Sequence, residues 1–509
     1  MRKTNITPKN TEFVLLSFEG PDRYSLAGGL GVRVDNLSMT LATMGFRTHL
    51  FFIGDPEFTG EEVKYRGKLT LHRWCQWISK YYPGGVYEGE DEKLYDFNES
   101  LPWFIKDHVV KPAVEKGKMV VILGEEWHTA EAMCRLSDVL YADGLRDNVV
   151  MFWNANNTFS FHRINWGRLN YTTTITTVSR YMKHIMWRIG VNPLVIPNGI
   201  PRESLQKVDD ARAYKLRAAL DADLVMCKVA RWDPDKRWNM AVEAVARLKQ
   251  RGFRTVLLAR GGMEPHGKEV LRHARLLGLT VSEARVRPGH SEGFLEVLQE
   301  TPHADVVDIK FHMPLNSLRV IYRAADAVLA NSGHEPFGIV GLEAMAAGGI
   351  AYTGSTGEDY AIPFINGFVL ETANPIEIVG YAMYLREYPN EGIRIREAAR
   401  RTARYFTWEA AVKNLIGKLE NQARMQDLVR GQPTLPQPQF SLSKLPPELL
   451  TSATVGIPTP INQPDIPGNL PSGPGADIWT GDPHLPPEQQ SLLSKLPPQL
   501  MTTTLKNHY

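Results

Sequence analysis

The chain predicts an α/β fold of two successive halves, each a parallel sheet covered by helices on both faces, followed by a proline-rich tail that stays disordered. Three observations carry this. Short apolar runs alternate with amphipathic helical stretches over the first 430 residues, the pattern of strand, crossover helix and strand. That pattern restarts once, near residue 222, and 509 residues exceed one ordinary domain. Composition then breaks, because residues 431–509 hold 16 of the 34 prolines, which fix φ and remove backbone donors.

In the first half, Phe13–Phe18 reads as an apolar strand. The turn Gly28-Gly29-Leu30-Gly31 follows, then a helix with Leu37, Leu41 and Met44 at helical spacing that stops at Gly45. The next strand is Thr48–Ile53, and further strands are expected at 119–123, 149–153, 175–178 and 194–197. The stretch from His72 to Trp103 carries Trp74, Trp77, Tyr81, Tyr82 and Tyr87 and reads as a packed insertion, the alternative being a sugar-stacking face. The second half starts with a strand at 224–230 and a helix around Met240–Lys249, with strands at 255–259, 306–309, 327–329 and 350–352. These elements bound a first domain at 11–200, a second at 222–404, an amphipathic closing helix within 405–428 and a tail at 429–509. Inside the tail, Leu442-Ser-Lys-Leu-Pro-Pro recurs at Leu493, either a partner-binding motif in two copies or a duplicated spacer.

Charge and cysteines exclude several classes. With 58 basic against 56 acidic residues, no global field points to nucleic acid or an anionic membrane. Cys75, Cys134 and Cys227 form no CxxC pair, so neither a disulfide framework nor a zinc site is expected. No apolar run follows the basic N-terminus, and none is long enough to span a bilayer, so a cytoplasmic protein is expected.

Two segments carry chemistry. The glycine turn 28–31, between strand and helix, can bring amides and a helix N-terminus to a phosphate, although a ligand-free turn has the same pattern. It is not GxGxxG, because Val34 stands where a third glycine belongs, and it is not a P-loop. The second segment runs from Asn331 to Gly349. Pro336 suits a first helical position and Gly348-Gly349 an end, so a helix of about twelve residues is expected just after Glu335. Glu343 then lies about 12 Å along its axis, so that the two carboxylates address opposite ends of one ligand. A zinc-protease motif is excluded, since HExxH starting at His334 needs histidine where Gly338 stands.

With these residues in view, the chain resembles the retaining GT-B glycosyltransferases of the glycogen and starch synthase-like branch, the glycosyl transferases group 1. The glycine turn, Glu125-Glu-Trp-His-Thr-Ala130, Val229-Ala-Arg-Trp-Asp-Pro-Asp-Lys-Arg237 and the Glu335 to Glu343 spacing occur in family order, with Val195-Ile-Pro-Asn-Gly199 at the end of the first half. The resemblance implies two Rossmann-like domains with the active site in the cleft between them, the second gripping the nucleotide sugar and the first serving the acceptor. It implies that Arg231 and Lys236 hold the donor diphosphate together with Gly28, Gly29, Gly338 and Ile339. By the same resemblance, Glu335 orients the donor sugar, Glu343 binds the ribose and His128 acts near the reacting sugar. No metal and no cofactor are expected, the nucleotide diphosphate sugar being substrate. Leu26 stands where ADP-glucose-using relatives carry a lysine, so donor nucleotide and acceptor stay open. The competing readings are a nucleotide-sugar epimerase or glycosyl phosphorylase on the same architecture, and an inactive scaffold with a partner-binding tail.

Overall fold

The computed structural model describes residues 5–286 and 293–429. The proline-rich tail, with both Leu-Ser-Lys-Leu-Pro-Pro copies, lies outside the described residues.

Eight strands form the first sheet: β1 (Thr11–Leu16), β2 (Arg47–Ile53), β3 (Glu61–Lys64), β4 (Leu69–Trp74), β5 (Met119–Glu125), β6 (Val149–Ala155), β7 (Thr174–Thr177) and β8 (Leu194–Val195). Their order is β3-β4-β2-β1-β5-β6-β7-β8, parallel except for the edge strand β3. Seven strands form the second: β9 (Leu224–Val229), β10 (Thr255–Arg260), β11 (Val281–Ala284), β12 (Val306–Ile309), β13 (Ala327–Ala330), β14 (Ala351–Thr353) and β15 (Phe368–Val369). Their order, β11-β12-β10-β9-β13-β14-β15, is parallel throughout. Two Rossmann-like halves are therefore present, as the sequence predicts.

Burial on both faces explains the continuous apolar strands. In β1, Phe13 and Leu15 pack on one side with Val34, Leu37 and Leu41 of the helix Gly29–Thr43, while Val14 and Leu16 pack on the other. The helix Trp408–Met425 follows the second sheet in sequence yet covers the first, burying Val412, Leu415 and Leu419 beside β1. The return crossing is tight: Ile200 N donates to the Phe406 carbonyl at 2.8 Å, and a Cβ on Gly199 would lie 2.4 Å from the Trp408 nitrogen.

The stretch from His72 carries regular structure of its own. It opens inside β4, and the helix Glu90–Ile105 buries Phe97, Leu101 and Ile105, while Trp77, Tyr81 and Trp103 stay exposed. Polar residues mixed with the aromatics hid both the strand and the helix.

Each sheet has a switch point, where the chain leaves to opposite sides. For the first it lies between β1 and β5, for the second between β9 and β13. Open parallel sheets bind ligands at the carboxyl ends of such strands. The glycine turn follows β1 and Glu126 follows β5, whereas Arg231 follows β9 and Glu335 follows β13.

Candidate active site

Between the two switch points lies a cleft of about 830 Å³. The first half lines it with Gly29, Arg33, Asn156, Asn157 and Asn198, among others, and the second with Arg231, Lys236, Glu335, Ile339 and Glu343. All four lining carboxylates, Asp233, Asp235, Glu335 and Glu343, come from the second half.

Lys236 closes a one-turn helix, Pro234–Lys236, capped by the Asp233 side chain. Its ammonium donates to Glu335 Oε2 at 2.8 Å. Two residues 99 positions apart thus meet as a partly buried ion pair. Arg231 is exposed at the end of β9, where its carbonyl accepts from Trp238 Nε1 at 2.8 Å, and its guanidinium has no hydrogen bond among the described residues. Beneath them Lys228 is buried in β9, donating to the Leu329 carbonyl and Asn331 Oδ1; burial, reinforced by Lys236, pushes its pKa down to about 7.

The helix after Glu335 is shorter than expected. It spans eight residues, Ile339–Ala346, with Gly338 as its N-cap, so Pro336 is not a first helical position. The segment before the helix is held by side chains instead: Glu335 N donates to Thr356 Oγ1 at 2.9 Å, and the Gly338 carbonyl accepts from the Tyr360 hydroxyl. Glu335 and Glu343 therefore do not share one helical axis, although both reach the cleft. Gly338 itself does not line it. Burial pushes the Glu343 pKa up to about 7.

The glycine turn is occupied by the chain itself. Gly28 N and Gly31 N both donate to Glu19 Oε2 at 2.9 Å, and Glu19 Oε1 accepts from the Tyr87 hydroxyl at 2.5 Å. Gly28 lies off the cleft, and of the expected pair only Gly29 lines it.

His128 is also elsewhere. Its ring stacks between Phe18 and Trp127, centroids 4.2 and 3.9 Å away, and Nε2 is 2.8 Å from Glu90 Oε1. It lines a separate pocket of about 220 Å³ with Asn98, Glu131 and Arg163. Burial lowers its pKa, which keeps the ring neutral.

Asn156 and Asn157 stand in the cleft instead, in a loop fixed by Glu126, whose Oε1 accepts from both amides at 2.5 and 3.1 Å. Glu126 adopts a φ of 67°, rare for a residue with a side chain, and burial pushes its pKa up to about 8. Arg33 is fully engaged, with Glu125 at 2.9 and 3.1 Å and with Asn198. Sequence reasoning missed these residues. The available signal was Arg33, Leu37 and Leu41 at i, i+4, i+8, an arginine inside an apolar helix face. The halves also touch beside the site: Asp359 accepts from Arg180 N at 2.8 Å, and the Tyr181 hydroxyl is 2.9 Å from His334 Nδ1.

Two switch points facing one cleft define the GT-B architecture, and comparison with solved structures agrees. Sucrose-phosphate synthase from Thermosynechococcus elongatus superposes with a TM-score of 0.59 at 19% identity, over 82% of this chain and 99% of that one. The catalytic domain of Arabidopsis thaliana starch synthase IV, bound to ADP and acarbose, gives 0.54 at 18% identity, over 81% and 99%. Residues 215–402 match the family model Glycosyl transferases group 1, so the chain carries a domain of that family. A curated relative, the D-inositol 3-phosphate glycosyltransferase of Geodermatophilus obscurus, is 26% identical over 265 residues, 50% of this chain and 54% of the relative. The chain thus spans about half the length of that relative. Among the described residues, no helix is long and apolar enough to cross a membrane.

Proposed function

We propose that the protein is a retaining, metal-independent glycosyltransferase that moves a sugar from a nucleotide diphosphate donor to a hydroxyl acceptor. One observation carries the reading: Arg231, Lys236, Glu335 and Glu343 converge in a single cleft whose opposite wall bears no carboxylate among the described residues. In this reading Arg231, Lys236 and the Ile339 amide meet the diphosphate, Glu343 the ribose and Glu335 the donor sugar. Breaking the anomeric bond puts charge on the leaving diphosphate, and fixed cations in a partly closed cleft stabilise it. A retaining hydrolase would face two carboxylates across the scissile bond. Among the described residues the lining carboxylates lie on one wall, which favours attack from the face the nucleotide leaves, with the departing phosphate oxygen taking the acceptor proton. Alignment of the two substrates supplies much of the rate. The three cysteines are buried and unpaired, which supports a reducing cytoplasm.

The test incubates the protein with UDP-, ADP- and GDP-sugars in excess EDTA, with oligosaccharides or an inositol phosphate as acceptor. Acceptor-dependent release of nucleoside diphosphate, with the donor's anomeric configuration kept in the product, is the expected result. Epimerised donor, sugar phosphate, or activity that returns only with Mg²⁺ or Mn²⁺ would contradict it.

A further inference from the structure

The turn carrying Glu335 rests on a second turn, residues 354–360. Thr356 Oγ1 accepts from Glu335 N, and the Tyr360 hydroxyl reaches the Gly338 carbonyl. Gly357 passes so close that a Cβ there would lie 2.1 Å from the Glu335 carbonyl oxygen. Between the two turns lies the Glu358 side chain. It is 5% exposed, and among the described residues no side chain donates to either carboxylate oxygen, the nearest donors being the backbone amides of Thr356 and of Glu358 itself. A Cβ on Gly338 would sit 2.7 Å from Glu358 Oε1. The glycine at the N-cap of the helix Ile339–Ala346 is therefore what makes room for this carboxyl.

A buried carboxylate with no cation paired to it and only neighbouring amides as donors is costly, and such a group normally neutralises. Burial first, and the Glu335 charge second, push the Glu358 pKa up to about 8. The charged groups that act on it are Glu335, from the turn above, and Lys236, from the segment after β9. Tyr360, on its own turn, is held un-ionised by burial, and Asp359 is committed to Arg180 N.

We infer that Glu358 is a donor-positioning residue: its uncharged carboxyl underlies the Glu335–Gly338 turn and lets that turn receive an anionic nucleoside diphosphate, whereas its charged form opposes the same ligand. The inference rests on the nucleotide-sugar reading and adds a residue and a charge requirement to it. Glu358 acts through the turn rather than by touching the reacting atoms. Its signature is therefore a change in donor affinity with pH.

The test measures the Kd of UDP, ADP and GDP by calorimetry in excess EDTA, at pH 7 and pH 9, for the full chain and for Glu358→Gln. A ligand that needs the neutral form loses affinity by the fraction neutral, about tenfold at pH 9 for a group titrating near 8. Glu343 and Lys228 titrate near 7 and weaken anion binding over the same interval, so the ratio between the two proteins is the readout. The rise in Kd from pH 7 to pH 9 is expected to be about tenfold smaller in the glutamine protein, with affinity at pH 7 retained. If Glu358→Gln folds poorly, Glu358→Met removes the same titration and must flatten the profile equally. Superimposable pH dependences, or a loss of affinity at pH 7 in a folded glutamine protein, overturn the inference and leave the glycosyltransferase reading standing. No nucleotide binding at either pH in the unaltered chain overturns both.

Discussion

The two turns that close the cleft share a design and differ in what fills them. Each follows the carboxyl end of a switch-point strand, each is glycine-rich and each opens a helix. In the first half, the chain's own Glu19 satisfies Gly28 N, Gly31 N and Tyr87. In the second, Lys236 and Glu335 satisfy one another, while among the described residues the Arg231 guanidinium makes no hydrogen bond and no side chain donates to Glu358. A glycine pattern reports that a backbone can approach an anion. It does not report whether the anion is a ligand or a neighbouring side chain.

If the second turn is the working one, its charges dominate the kinetics. Lys236→Met is expected to lower turnover by about 10²-fold or more, as for loss of one preorganised electrostatic donor, and to weaken donor binding by less. Steady-state kinetics on a folded variant checks this, and near-normal turnover would reduce Lys236 to a neighbour of the site.

Glu19→Ala probes the other side. It leaves two amides and a tyrosine hydroxyl without an acceptor, and is expected to cost roughly 1–3 kcal/mol in denaturant titration. A stable Glu19→Ala protein that binds nucleoside diphosphate more tightly would instead make the first turn a blocked anion site.

Two glycines of the first turn differ in the room around them. A Cβ on Gly31 would lie 2.8 Å from Leu26 Cδ1 and 3.0 Å from the Gly20 carbonyl oxygen, so Gly31→Ala is expected to destabilise by about 1–3 kcal/mol. A Cβ on Gly29 meets nothing within 4 Å, and Gly29→Ala is expected to fold normally, isolating any ligand effect of that position.

A separate effect concerns pH and the first half alone. His49 Nδ1 lies 2.9 Å from His72 Nε2, and burial pushes the His49 pKa down to about 3. The folded ring is neutral while the unfolded one titrates near 6.5, so its contribution is complete above about pH 6.5 and is lost progressively as pH falls toward 3. His49→Gln is expected to flatten the acid side of a stability-versus-pH curve, and an unchanged curve would remove His49 from that account.

Much of this was legible because apolar runs mark buried parallel strands without any tertiary information. The strands at 13, 48, 119, 149 and 255 were readable on that basis. β3 and β15 were not, since one is a polar edge and the other only two residues long. In the site, Arg231, Lys236, Glu335 and Glu343 sat in patterned segments and do meet in the cleft. His128 looked equally well placed, but a residue three positions past a strand end can turn into the core as readily as into the cleft, and here three aromatic rings and Glu90 hold it inside. Glu19 and Glu358 were invisible, because both act through contacts with glycines distant in sequence or in an adjoining turn.

In the proposed reading the second half, not the first, holds the donor diphosphate. Calorimetric titration of UDP, ADP and GDP in excess EDTA against the unaltered chain, Lys236→Met and Gly29→Ala tests it most directly. Binding is expected to be about tenfold or more weaker in Lys236→Met, as for loss of a charge-assisted contact, and to change by less than about threefold in Gly29→Ala. The reverse order, with Gly29→Ala crippled and Lys236→Met unaffected, would contradict it.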